Sequence, residues 1–390
     1  MNRYCRASLT LAASTALSVL IAACGGSSAD TTPRVAITSV KVMGDSLADV
    51  GTFGIKFTIQ GNDTYPERIA QLYGLPKGCN FFAFTGTTFA ANPTAGCTNF
   101  AIGGGVINRF SGVNPDNSPF AAADPRVIGV QISTATAAGN FAAKDLLIID
   151  GGGNDAAALV TAYLTQPVDS GASYQALLAT VLTPAQMGAL GTACAGGPTA
   201  GCQAALAGAG GTYMTSLANT FYDTIQTKAL DKGAQQIALL NIPSITNTPL
   251  FQGVLKQIET QAGAATRAQS EALFKSWVVA FNTQLAARAA GNAKVALVDF
   301  YTEFNNQIAT PAQFGLTNVT TPACADKGSV AATWGTCTDA FLAANPPAGA
   351  TGGANWYKTW AFSDGFHPSA YGHQLLSQLI SRSLAVAGWL

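Results

Sequence analysis

Five short apolar runs recur along the chain, at residues 35–43, 99–102, 146–150, 236–242 and 294–300, each leading into turn residues and then a helix-like pattern. Unbroken apolar runs bounded by glycine or proline suit strands buried on both faces. The first ends at Gly44-Asp45-Ser46, the second at Gly103-Gly104-Gly105, the third at Gly151-Gly152-Gly153-Asn154 and the fourth at Pro243. Between them, residues 64–73 place Tyr65, Ile69, Leu72 and Tyr73 close to a 3.6-residue period, which predicts a helix. Residues 213–232 and 264–290 predict longer helices free of proline, and 369–387 a last one opening after Pro368. Strands alternating with helices imply a doubly wound α/β sheet, in which ligands bind beyond the carboxyl ends of the strands. Residues 156–211, rich in Ala, Gly and Thr, are weakly patterned and leave helical decoration or a lid open. With no internal repeat and no break after the first 34 residues, 35–390 is expected to form one domain.

The amino-terminal residues change this picture by pointing to export. Arg3 and Arg6 precede an apolar stretch from Leu9 to Ala23 that is too short and too rich in Ala and Ser for a permanent membrane helix. It ends in Ile21-Ala22-Ala23-Cys24, which resembles a bacterial lipobox, so residues 1–23 are expected to be a signal peptide and Cys24 the acylated anchor. Gly25 follows the cysteine, and the aspartate that often retains such proteins at the inner membrane is absent, so an outer-membrane lipoprotein is expected, with plain secretion as the alternative. Residues 24–34 read as a flexible tether. Loss of 1–23 leaves 18 basic against 20 acidic residues. That balance, with no basic stretch, makes nucleic acid a poor partner.

Six of the eight cysteines remain after Cys5 and Cys24, and they fall into local pairs: Cys79 with Cys97, Cys194 with Cys202, Cys324 with Cys337. Six cysteines allow 15 connectivities, and disulfides between these neighbours are the expectation in an oxidising compartment. Closing a loop of about 15 residues contributes ~3 kcal/mol in the chain-entropy view. A zinc site has neither C-x-x-C spacing nor a nearby histidine in its favour.

Chemistry concentrates at the strand ends. There are only two histidines. His367 lies three residues after Asp364, a spacing that lets a carboxylate orient an imidazole as a general base, although a helix-entry histidine beside a turn aspartate would look the same. His373 reads as a helix-surface or packing residue. Ser46, after the first strand, is placed either to project a hydroxyl from the sheet edge or to cap a helix, and Asp45 and Asp49 either join it or serve as local turn residues. Glycines 103 to 105 allow close backbone approach. Asn154 offers an amide donor to a developing oxyanion, or an N-cap.

Together the four segments VMGDSLADVG (42–51), NFAIGGG (99–105), GGGND (151–155) and DGFHP (364–368) resemble, in order, the blocks of the GDSL (SGNH) hydrolases. The resemblance spans nearly the whole chain after the tether. It implies a flavodoxin-like three-layer sandwich with a central parallel sheet of about five strands. It further implies Ser46 as nucleophile, His367 as base, Asp364 as its partner, and an oxyanion hole from the Ser46 N–H, a glycine N–H and Asn154. Gly104 aligns as that glycine, with Gly103 open as the alternative. Met43 stands where many relatives have Phe, and Ala48 where Ser is frequent; neither supplies a catalytic group. The G-x-S-x-G elbow of α/β-hydrolases is absent. The implied activity is hydrolysis of carboxylic esters, lipid or phospholipid, or acyl transfer, without metal or cofactor. The alternatives are a carbohydrate O-acetyl esterase and a non-catalytic surface-binding lipoprotein.

Overall fold

A computed structural model describes residues 35–324 and 334–390. The expected signal segment, Cys24 and the whole of the tether lie outside the described residues.

Four parallel strands form the central sheet: β1 (Ser39–Met43), β4 (Asp145–Ile149), β5 (Gln236–Leu240) and β6 (Val295–Val298), in the order β1-β4-β5-β6. The two middle strands are buried at every position, as their unbroken apolar runs require. Alternate residues serve opposite faces. Met43, Leu147, Ile149, Ile237 and Leu239 enter one hydrophobic cluster, and Val40, Val42, Leu146, Ile148, Ala238 and Leu240 enter the other.

The expected strand at 99–102 does not form, so the sheet has four strands and not about five. Asn99 makes a single parallel bridge to Val42, with Val42 N–H donating to the Thr98 carbonyl at 3.1 Å and Phe100 N–H to the Val42 carbonyl at 2.7 Å. The next rung is missing because Gly44 N–H donates to Gln131 Oε1 at 2.8 Å, and only Ile102 N–H, donating to the Gly44 carbonyl at 3.3 Å, continues along the edge. Meanwhile Asn99 Oδ1 accepts the Ala101 N–H at 3.0 Å and its Nδ2 donates to the Ala48 carbonyl at 2.7 Å. The Asx turn leaves this segment beside β1 as isolated contacts and not a strand, and leads into the glycine run. A separate antiparallel hairpin, β2 (Phe82–Phe84) and β3 (Phe89–Ala91), precedes it.

On one face lie α1 (Tyr65–Leu72), α8 (Phe300–Ala309) and α10 (Ala370–Val386). The other face carries α2 (Ile128–Ala135), α3 (Gly153–Asp169), α4 (Ala172–Ala179), α5 (Pro184–Cys194), α6 (Ala200–Lys228) and α7 (Pro249–Ala289). The undecided stretch 156–211 is therefore helical throughout much of its length, supplying α3 to α5 and the first half of α6. Within α7, Gly263 has φ +88° and breaks the helix just ahead of the predicted 264–290 segment. A short α9 (Asp339–Ala344) completes the helices. All three local cysteine pairs are joined as disulfides, Cys79–Cys97, Cys194–Cys202 and Cys324–Cys337. Among the described residues no helix is long and apolar enough to cross a membrane.

Candidate active site

The turn after β1 is shaped from below. Gly44 packs so tightly on Asp150, at the end of β4, that a Cβ would lie 1.8 Å from Asp150 Oδ1. That oxygen accepts the Asp45 N–H at 3.0 Å, while Asp150 Oδ2 accepts the Tyr65 hydroxyl at 2.5 Å. Gln131 on α2 clamps Gly44 from the other side: Gly44 N–H donates to its Oε1 at 2.8 Å, and its Nε2 donates to the Gly44 carbonyl at 3.0 Å. No α-helix follows at once; residues 46–49 make one turn closed by Ala48 and Asp49 N–H donating to the Asp45 carbonyl at 3.1 Å, and α1 begins only at Tyr65. Ser46 therefore caps no helix.

Ser46 Oγ lies 2.7 Å from His367 Nε2, and His367 Nδ1 lies 2.9 Å from Asp364 Oδ2. Asp364 Oδ1 also accepts the backbone N–H groups of Phe366 and His367. Burial would raise the Asp364 pKa, but the His367 ring and these two N–H groups outweigh it and hold the carboxyl below its usual range. His367 thus faces an ionised carboxylate on one nitrogen and a hydroxyl on the other.

The glycine run closes against this turn. Gly103 N–H donates to Asp49 Oδ2 at 2.8 Å, Gly105 N–H to the Ile102 carbonyl at 2.9 Å, and a Cβ on Gly105 would lie 2.6 Å from the Gly44 carbonyl. Gly104 sits between them, exposed, with φ +76°. Among the described residues, neither the Ser46 nor the Gly104 N–H has an intramolecular acceptor. Gly103 is already bonded, which favours Gly104 as the free donor. Asp49, fully buried, also accepts the Gly51 and Thr52 N–H groups at 2.8 Å, so it ties the Ser46 turn to the glycine run as well as closing its own loop. Burial pushes its carboxyl above the usual range against those bonds.

Asn154 lies inside the first turn of α3, whose N-cap is Gly152, so it is not a cap. Its Nδ2 donates to the Gly105 carbonyl at 2.9 Å and makes a longer contact, 3.4 Å, to Asp45 Oδ2. The shorter bond fixes the amide; the longer one leaves a hydrogen that a nearby anion can claim. Asp155 accepts the Ile107 and Asn108 N–H groups at 2.9 Å and is pushed up to about 6 by burial.

Sequence reasoning missed the layer beneath these groups. His373 is fully buried, accepts the Tyr65 N–H on Nδ1 at 3.3 Å, and is pushed down to about 3 by burial, so it is a neutral packing residue and not a surface one. Asp150 and Gln131 carried no motif. An aspartate at a buried strand end and a glutamine on an apolar helix face are the signals that would have found them. A narrow apolar cavity of about 40 Å³ adjoins the site, lined by Asp45 and Leu47 beside Ser46, Phe366 and Pro368 beside His367, and Ile242 and Phe362 beyond.

Two solved structures resemble the chain: an extracellular lipase from Streptomyces rimosus, at TM-score 0.39, and a phospholipase A1 from Streptomyces albidoflavus NA297, at TM-score 0.38. Each is 13% identical, over 89% of this chain and 99% of the other. No curated protein sequence matches. The GDSL-like Lipase/Acylhydrolase family matches residues 40–380, which takes in all four motif segments and both halves of the hydrogen-bonded site, and the chain belongs to that family.

Proposed function

We propose that this protein is a serine esterase that cleaves carboxylic esters of apolar acids through an acyl-enzyme on Ser46. The continuous chain Asp364–His367–Ser46, with contacts of 2.9 and 2.7 Å, carries the reading. His367 Nε2 takes the Ser46 proton as Oγ attacks the ester carbonyl, and Asp364 holds the imidazole by Nδ1 and stabilises the imidazolium. The developing oxyanion is received by the unpaired N–H groups of Ser46 and Gly104 and by the Asn154 amide. His367 then protonates the departing alcohol, and water repeats the sequence on the acyl-enzyme.

The apolar cavity beside Ser46 supports an aliphatic acyl group as its occupant, and so a lipid-type ester over an acetylated sugar. Three disulfides are compatible with export. Acylation of Cys24, within the lipobox-like segment, would then hold the enzyme at a membrane.

The test is hydrolysis of p-nitrophenyl esters from acetyl to palmitoyl by a 32–390 protein beside Ser46→Ala. Turnover that Ser46→Ala abolishes, rising from acetyl to a longer acyl chain, is expected. Turnover undiminished in Ser46→Ala would remove the nucleophile assignment, and a maximum at acetyl would favour the carbohydrate esterase.

A further inference from the structure

We propose that Phe53, Phe57, Phe84 and Phe89 form a second subsite, which takes the alcohol half of the ester, and that this half is an apolar alkyl or aryl group. The inference rests on the esterase reading above. In the acylation step Ser46 Oγ bonds to the carbonyl carbon, the bond from that carbon to the alkoxide oxygen breaks, and the proton that His367 took from Ser46 passes to the alkoxide. The alcohol must therefore leave beside His367 Nε2.

The Phe57 ring lies over the His367 ring, centroids 5.2 Å apart and planes 32° from parallel. From Phe57 the rings continue outward to Phe53 at 6.1 Å, and from Phe53 to Phe84 at 5.3 Å and Phe89 at 5.8 Å. Phe57 is buried, Phe53 and Phe89 are half-buried, and Phe84 is 40% exposed, so the track opens from the imidazole to solvent. No residue of this track lines the acyl cavity, whose walls come from the ends of β4 and β5, from α8 and from the loop around His367. The two apolar surfaces are thus separate, and both border the residues around the scissile bond.

The track is also built into the oxyanion side. A Cβ on Gly103 would lie 2.3 Å from Phe57 and 3.2 Å from Phe53, so these rings pack directly on the backbone that presents the Gly104 N–H. Its outer end is held by the β2–β3 hairpin. Three-residue strands have little stability alone, and here the Cys79–Cys97 disulfide closes the loop that carries them. A stapled hairpin that places aromatic rings in line with the general acid is more than a scattered exposed hydrophobe.

The test holds the acyl group at butyryl and compares ethyl with hexyl esters in wild type, Phe53→Ser and Phe84→Ser. Full burial of one methylene corresponds to about fourfold in affinity and half burial to about twofold, so four added methylenes should raise kcat/KM on the order of tenfold in wild type. In both variants that hexyl-to-ethyl ratio should fall towards one, mostly through KM, while the preference for butyryl over acetyl stays as in wild type. A ratio near one in wild type, or a ratio that both substitutions leave intact, would overturn the proposal. Binding of benzyl alcohol to Ser46→Ala, followed by saturation-transfer NMR, judges the subsite without turnover. Binding lost on adding Phe84→Ser supports it and no binding overturns it, whereas absence of hydrolysis with binding retained would refute the esterase reading alone.

Discussion

Raising the pH through neutrality should destabilise this protein through its buried carboxyl groups, that of Asp45 above all. Both Asp45 and Asp150 are buried, and they are joined by the Asp45 N–H donating to Asp150 Oδ1. Asp150 also accepts the Tyr65 hydroxyl, so its charge is supported, and burial raises it only to about 6. Among the described residues the Asp45 carboxyl accepts only the Leu47 N–H at 3.0 Å and the long Asn154 contact, and burial followed by the neighbouring Asp150 charge pushes it up to about 8. A carboxyl raised in the folded state contributes stability that is complete below its ordinary value of 3.8 and is lost as the pH climbs through the folded value. Each pH unit in that interval costs about 1.4 kcal/mol, which sets a ceiling of about 4 kcal/mol between pH 5 and 8. Asp150 and Asp155, both near 6, have finished their share by about pH 7. The raised Asp49 carboxyl acts in the same sense, and His373, held down near 3, in the opposite sense up to about its ordinary 6.5. The Asp45 share is therefore isolated as the difference between wild type and a variant lacking that carboxyl. The lowered Asp364 acts in the opposite sense, its contribution disappearing only as the pH falls below the usual carboxylate range. Guanidinium unfolding of wild type and Asp45→Asn from about pH 5 to 8.5 reads this directly. Between pH 6.5 and 8 wild type should lose roughly 1–2 kcal/mol more than Asp45→Asn. Parallel curves across that window would refute the reasoning.

Two further outcomes follow from the site. Asn154→Ala should lower kcat about a hundredfold, ~3 kcal/mol of transition-state stabilisation, with little change in melting temperature because Asn154 caps no helix; wild-type rates would remove it from the oxyanion hole. Gly44→Ala should destabilise by about 3–5 kcal/mol, since its methyl group would occupy the place of Asp150 Oδ1 and part Asp150 from the Asp45 N–H and the Tyr65 hydroxyl; an unchanged melting temperature would show that Asp150 yields at no cost.

The strand ends were legible in the sequence because each carries a local steric demand. Gly44 has no room for a side chain above Asp150, Gly105 none above the Gly44 carbonyl, and Gly104 turns with positive φ. Such demands leave glycine at fixed positions that can be read without knowing the partner. The layer behind them was not legible. Phe57 gains its place beside His367 only when the chain folds back on itself, and Asp150 looks like the polar end of any buried strand. Residues 156–211 looked weakly patterned because small residues share their core face with large ones such as Leu159, Tyr174, Leu178 and Leu206: Gly210 on α6 admits the Trp277 indole, which a Cβ would meet at 2.3 Å, and Trp277 Nε1 donates to the Ala207 carbonyl at 2.9 Å. Hydrophobic periodicity records large side chains and misses a helix that receives one. The expected strand at 99–102 fails for a different reason: Gln131 takes the Gly44 N–H and the Asn99 side chain the Ala101 N–H, so the ladder that apolar composition alone favours is left as isolated bonds.

The contact between Ser46 and His367 joins groups 321 residues apart, so its 2.7 Å length must be set by something other than the sheet. Residues 57–65, from beyond the Ser46 turn to the first residue of α1, supply that tie. Thr58 Oγ1 donates to the Pro368 carbonyl at 3.1 Å, Tyr65 N–H donates to His373 on α10, and the Phe57 ring covers His367 itself. Tyr65 reaches the other way through its hydroxyl to Asp150, which holds the Asp45 N–H under Ser46. One short segment therefore grips both halves of the site, the turn bearing the hydroxyl and the loop bearing the imidazole. A loosened sheet would shift both halves together, whereas a loosened strap would separate them. Under the roles proposed for Ser46 and His367, a separation of 1 Å is enough to slow the reaction by about a hundredfold. The buried polar contacts of this strap are thus where the fold converts its stability into catalytic geometry.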